Sequence, residues 1–171
     1  MRLFIALMLP EEAGKKVMRF TDELKFHDIK GRFVNMSDLH ITLAFIGDYE
    51  DPETVIGVLE NIVFTPMNIS LNDWSIDRNG LIRLIPEQNE ALEELVRAIR
   101  KSLKKNGIPF DNRRFVPHVT VSRKTRGLSG LKGREISVNI AFDTDTFSLM
   151  CSELRREGSS YTELCSFSTV L

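Results

Sequence analysis

Apolar and polar positions along this chain switch between a period near two and a period near 3.6, which predicts strands interleaved with helices. Arg2 to Leu9 is predicted as a strand. Pro10 opens a helix at its first turn, where a missing N–H costs nothing. Glu11 and Glu12 suit the positive end of that helix, and Ala13, Val17, Phe20 and Leu24 carry its apolar face to about Phe26. Arg32 to Val34 reads as a short strand, and Leu39 to Ile46 as another, closed by Gly47. A second helix is predicted from about Pro52 to Val63. Met67 to Asp77 and Leu81 to Ile85 read as strands joined at Arg78-Asn79-Gly80, where Asn-Gly suits a type I′ turn. A long helix follows over Glu87 to Lys105, its apolar face being Leu92, Leu95, Val96, Ile99 and Leu103, with Gly107 as its C-terminal cap. Strands are predicted at Val116 to Arg123, Ile136 to Phe142, Thr146 to Glu153 and Tyr161 to Val170, with a Gly-rich basic loop at 124–133. Regular βαβ repetition is missing, so the fold class is α+β.

A weak internal duplication runs through this order. Each half has a helix followed by a strand containing His-x-Thr: "HITL" at His40 to Leu43 and "HVTV" at His118 to Val121. In a strand, His40 and Thr42 face one way while Ile41 and Leu43 face the other, and His118 and Thr120 likewise oppose Val119 and Val121. The apolar pairs can bury against helices, leaving each polar pair on the opposite face. A single strand of this kind needs no function, since polar side chains can simply face water. Two of them in matching positions point to two lobes sharing one groove.

Length and composition narrow the class. At 171 residues, 42% hydrophobic and 27% charged, the chain is neither disordered nor a coiled coil. No apolar run is long enough to span a membrane, and the N-terminal run "LFIALMLP" leads into a charged amphipathic stretch rather than a cleavage site. A soluble, cytoplasmic protein is expected. Cys151 and Cys165 form no metal-binding pattern and read as reduced, buried side chains. Net charge is −1, yet residues 97–134 carry twelve Lys or Arg and only one acidic residue, Asp111. A globally basic nucleic-acid coat is excluded; a local anion-facing patch is not.

The paired motif has a chemical rationale. In-line displacement at phosphorus needs a base to take a proton from water and an acid to protonate the leaving oxygen. Two imidazoles can divide that work, one neutral and one protonated. The threonine hydroxyls can hold the non-bridging oxygens. No metal and no organic cofactor is called for, and His27 reads as a surface residue.

On these residues the sequence resembles the two-histidine phosphoesterases, specifically the bacterial and archaeal RNA 2',3'-cyclic phosphodiesterases, once described as 2'-5' RNA ligases. The resemblance is carried by "MRLFIALMLP", "NMSDLHITLAFIGD" and "RFVPHVTVSR". It implies a bilobal α+β fold over residues 1–171, with two antiparallel sheets flanking a central cleft and helices outside. It implies metal-independent hydrolysis of terminal 2',3'-cyclic phosphate to a 2'-phosphomonoester. His40 would then donate the proton, His118 would accept one, and Thr42 and Thr120 would bind phosphate. The residues themselves leave the two histidine roles unassigned. Strand parity sets Arg123 on the face opposite His118, whereas the resemblance sets an arginine at the site, in phosphate contact or strand support. Phe45, Lys124 and Arg126 are candidate RNA contacts, although simple alternation puts Phe45 with Ile41 in the core. Trp74 is a second candidate stacking surface. The expected partner is RNA ending in 2',3'-cyclic phosphate, tRNA fragments among it, met by a monomer away from membranes. Alternatives are 2'-5' RNA ligation, hydrolysis of a small cyclic nucleotide, or non-catalytic binding of RNA ends.

Overall fold

A computed structural model describes residues 1–170, with elements in the order β1 (Arg2–Met8), α1 (Glu11–Phe26), β2 (Lys30–Phe33), β3 (His40–Asp48), α2 (Pro52–Leu59), β4 (Met67–Ile76), β5 (Ile82–Pro86), α3 (Glu90–Lys105), β6 (Val119–Arg126), β7 (Ile140–Thr144), β8 (Thr146–Arg155) and β9 (Gly158–Ser168). The strands join in one antiparallel sheet of order β7-β4-β5-β6-β3-β1-β8-β9, with β2 added beside β6. One large apolar cluster takes in the buried stripes of α1, α2 and α3 and one face of the sheet. Along β1, Leu3, Ile5 and Leu7 enter that cluster, while Phe4 and Ala6 alternate onto the other face and join Met150 in a smaller one. This two-sided burial accounts for the unbroken "LFIAL" run. No helix among the described residues is long and apolar enough to cross a membrane.

The α+β architecture with flanking helices is as expected, but the two expected sheets are continuous here. The half containing β7, β4, β5 and β6 meets the half containing β3, β1, β8 and β9 at a single register pair, Ile41 with Val119. The same unit occurs on each side of this seam. β1 and β3 pair antiparallel with α1 between them in sequence, and β5 and β6 pair antiparallel with α3 between them. The two His-x-Thr strands therefore become the two central strands.

Several boundaries differ from the periodicity reading, each for a local reason. Helix α3 begins at Glu90 because Glu87 is still bonded to the sheet, its N–H donating to the Ser70 carbonyl at 2.8 Å. Asn89 caps the helix instead: Oδ1 accepts from the Leu92 N–H at 3.0 Å, and Nδ2 donates to the Asn68 carbonyl at 2.7 Å. Asn89→Ala is expected to lower stability by about 1 kcal/mol, read from the urea midpoint at unchanged slope. Helix α2 stops at Leu59, and Val63 is 84% exposed rather than on its apolar face. β6 starts at Val119, since Pro117 has no N–H to give a ladder, and it runs on to Arg126 because β2 pairs with that end. Residues 136 and 138 are buried in alternation but pairing begins only at Ile140. The β4–β5 turn is not type I′. Gly80 N–H donates to the Asp77 carbonyl, and the positive φ falls on Gly80 alone, not on Arg78 or Asn79. A Cβ on Gly80 would lie 2.5 Å from the Thr125 nitrogen, so glycine is required there.

Candidate active site

The seam register sets the geometry. With Ile41 opposite Val119 and the strands antiparallel, His40 comes to lie across from Thr120, and Thr42 across from His118. Each histidine thus faces the other motif's threonine. The two histidines occupy a diagonal of the pair, a spacing of about 7–8 Å between backbone positions. Ile41 and Val119 are fully buried behind them, whereas all four polar residues are partly accessible. Both rings are anchored the same way. His40 Nδ1 lies 2.7 Å from the Asp38 carbonyl and His118 Nδ1 lies 2.9 Å from the Val116 carbonyl. A carbonyl can only accept, so Nδ1 carries the proton and Nε2 is left for chemistry on each ring.

Matched bulges decide what else reaches this face. Ile5 pairs with Ala44 but Ala6 pairs with Thr42, so β3 has an extra residue after Thr42. Ile82 pairs with Ser122 but Arg83 pairs with Thr120, so β6 has an extra residue after Thr120. Leu43 and Ala44 are consecutively buried, and so are Val121 and Ser122. Each bulge reverses the alternation that follows it. Phe45 and Arg123, each the fifth residue after its histidine, consequently sit on the same face as the motif. Both line a cavity of about 400 Å³ with His40 and Thr42. The parity argument that set Arg123 on the far face and Phe45 in the core is corrected by these bulges. Lys124 and Arg126 line neither cavity that reaches a histidine. Lys124 is left-handed at φ 52 and Arg126 pairs with Lys30 at the sheet margin.

Electrostatics favour neutral imidazoles at this site. Burial is the largest cause lowering the pKa of both His40 and His118. At His40 the Asp38 carbonyl and carboxylate oppose this, while His118 and Arg123 add to it. At His118 the Val116 carbonyl opposes burial, while Arg83 and Arg123 both reinforce it. Among the described residues, no three His, Cys, Asp or Glu side chains converge as metal ligands would. The groups gathered here are imidazole, hydroxyl and guanidinium, which suit an anion.

Three site residues escape sequence reasoning. Arg83 stands between Thr120 on β6 and Ser75 on β4 in the register, and its buried Nε has no partner, nor has the Ser75 hydroxyl. Phe4 and Tyr161 pack on His40, with ring centroids 5.2 and 5.3 Å from the imidazole and 5.3 Å from each other. All three depend on cross-strand neighbours far away in sequence. A polar residue interrupting the apolar "LIRLI" run is the one available sign for Arg83. Trp74, a candidate stacking surface by sequence, lies on the other face. It packs against Phe20 and donates Nε1–H to the Ile136 carbonyl at 2.8 Å.

Comparison with known proteins places the chain in a family. Residues 10–136 match the family model described as the 2'-5' RNA ligase superfamily. An RNA 2',3'-cyclic phosphodiesterase of Methanothermobacter thermautotrophicus is 31% identical, over 95% of this chain and 96% of its own. One from Escherichia coli is 27% identical, over 95% and 93%. The fold superimposes on Escherichia coli LigT in its apo form with a TM-score of 0.81 at 22% identity, covering 99% of this chain and 98% of that one. A Thermus thermophilus protein gives 0.76 at 25% identity, covering 98% and 97%. With the family model spanning both histidine motifs and a relative aligned almost end to end, this chain belongs to the 2'-5' RNA ligase superfamily.

Proposed function

We propose that the chain is an RNA 2',3'-cyclic phosphodiesterase that opens a terminal cyclic phosphate to a 2'-phosphomonoester. The observation that carries this reading is the seam register, which brings two imidazoles with free Nε2 atoms to opposite corners of one antiparallel pair. The activity named for the relatives supports the same reaction. His118 accepts a proton from the attacking water and His40 gives one to the departing 3' oxygen. The division of roles, His40 as giver and His118 as taker, follows from the resemblance of the two motifs to the family's. At both rings burial and the Arg123 guanidinium lower the pKa, and an arriving phosphodiester anion favours the imidazolium of the ring that gives the proton. Thr42, Thr120 and Arg123 hold the non-bridging oxygens, where negative charge grows in the transition state. Phe45 and Tyr161 offer aromatic surface beside His40 for the terminal nucleoside, with Phe4 buried behind them.

In this reading the two halves of the sheet are two lobes of one catalytic domain, each giving one motif strand. The site is complete within one chain, which suits a monomer. Both cysteines are free thiols, which suits the reducing cytoplasm. tRNA fragments ending in cyclic phosphate fit the substrate class.

The test is a product assay on an oligoribonucleotide ending in 2',3'-cyclic phosphate, with EDTA present and a 2'-5'-linked oligomer alongside. The expected product is the 2'-phosphate, formed at an undiminished rate under chelation. A 3'-phosphate product, or activity restored only by added divalent metal, would overturn the reading.

A further inference from the structure

Beside the catalytic pair lies a second cavity of about 540 Å³, entered past Thr42 and His118 and walled by Arg100, Asp111, Arg113 and Arg114. Arg100 reaches this wall from α3, and the remainder is the segment leading into β6, which is fixed in place. The Asp111 N–H donates to the Phe45 carbonyl at 2.8 Å, tying the segment to the motif strand of the other half. The Asp111 carboxylate accepts from the Arg113 N–H and from its Nε–H, both at 3.0 Å. That pairing holds the carboxyl down to about 2. Arg100 Nη1–H donates to the Arg113 carbonyl at 2.7 Å, while its buried Nε has no partner.

The charge balance is one-sided. Asp111, the single acid in the wall, is already engaged by Arg113. Among the described residues no carboxylate lies within ion-pair distance of Arg100, Arg114 or Arg2, which also lines this cavity. Arg2, Thr42 and Phe45 border both this cavity and the one at His40, so the two form a continuous trough. Its far end is cationic and its near end aromatic. The basic side chains of the 124–134 loop reach neither part.

From this arrangement we infer that the arginine-walled cavity is a subsite for the RNA backbone. It takes phosphates on the 5' side of the terminal nucleoside, making the preferred substrate an oligoribonucleotide rather than a mononucleotide. The inference rests on the hydrolase reading for its substrate end, but its anion chemistry stands apart from turnover. The Arg100 guanidinium, held by the Arg113 carbonyl, loses little freedom on meeting a phosphate. Each phosphate contact releases counterions, so affinity for a single strand falls with salt by a slope of about 0.7 per phosphate.

The test compares a nucleoside 2',3'-cyclic monophosphate with a pentaribonucleotide carrying the same 3' end, for the parent protein and Arg114→Glu. Arg114 is exposed, so folding does not depend on it. The pentamer is expected to show a kcat/KM at least tenfold higher at low salt. Arg114→Glu is expected to cut that preference about tenfold, mainly through KM. In parallel, equilibrium binding of a fluorescent pentamer ending in 2'-phosphate is followed against salt, and the slope is expected to fall by about 0.7 in the variant. Equal kcat/KM for the two lengths, or an unchanged binding slope, would overturn the subsite. No turnover of either substrate together with the expected loss of slope would sink the hydrolase reading and leave the subsite standing.

Discussion

Replacing His118 with alanine is expected to lower kcat by about 10²–10⁴, the range for losing one positioned acid or base, and His40→Ala should fall in the same range. Both side chains lie on the cleft face, and the buried seam residues Ile41 and Val119 are untouched, so urea midpoints should stay close to the parent value. The double variant should be little worse than either single one, because acid and base act in one step. The two single variants are separable by leaving group. When a p-nitrophenyl phosphodiester is cleaved, p-nitrophenolate leaves phosphorus as the anion without help from an acid. His40→Ala should therefore recover most of its loss on that ester, and His118→Ala should recover none. The opposite pattern would exchange the two roles. Parent-like rates in both variants would remove the histidines from the mechanism.

Arg123→Ala should cost about 10²–10³ in kcat, the scale for one donor aimed at developing charge. It should also move proton equilibria. Arg123 adds to burial in lowering the pKa of both motif histidines, so removing its positive charge favours both imidazolium forms. Both titrations should shift to higher pH, as read from imidazole C–H resonances by NMR. The rate profile follows the same sign. In the parent protein the base must be neutral and the acid protonated, and both values are depressed. The optimum of kcat/KM therefore lies on the acid side of neutrality, and it moves up in Arg123→Ala. Arg123→Lys should keep the titrations near the parent values while recovering only part of the rate, because an ammonium cannot offer the guanidinium fork. Histidine titrations indifferent to Arg123→Ala would place the guanidinium outside the site.

Much of this arrangement can be read from the chain itself. The His-x-Thr strands stand out because apolar partners flank each polar pair, and the helices because their stripes repeat at 3.6 with Pro10 and Gly107 as punctuation. The bulges are far less visible. Leu43-Ala44 and Val121-Ser122 break strict alternation with two buried residues in a row, and only a neighbouring strand tells whether the extra residue is bulged or paired. The parity of Arg123 and Phe45 depends on that detail. Arg83, Phe4 and Tyr161 belong to the site through pairings between distant strands, which short windows of sequence do not encode. The sequence alone allows an anion-facing patch anywhere over 97–134, with Lys124 and Arg126 as the named candidate contacts. The topology gives that place to the arginines before β6, because Asp111 is bonded to the backbone of β3.

The fifth position after each histidine holds an aromatic ring in one half and a guanidinium in the other. Two separate copies of a half-length ancestor, related by a two-fold axis through the Ile41–Val119 contact, would have to present the same side chain at both places. Fusing the copies into one polypeptide lifts that constraint. The fused chain can then give each imidazole its own neighbours and so fix which one gives a proton, whereas in an identical pair either ring could take either part.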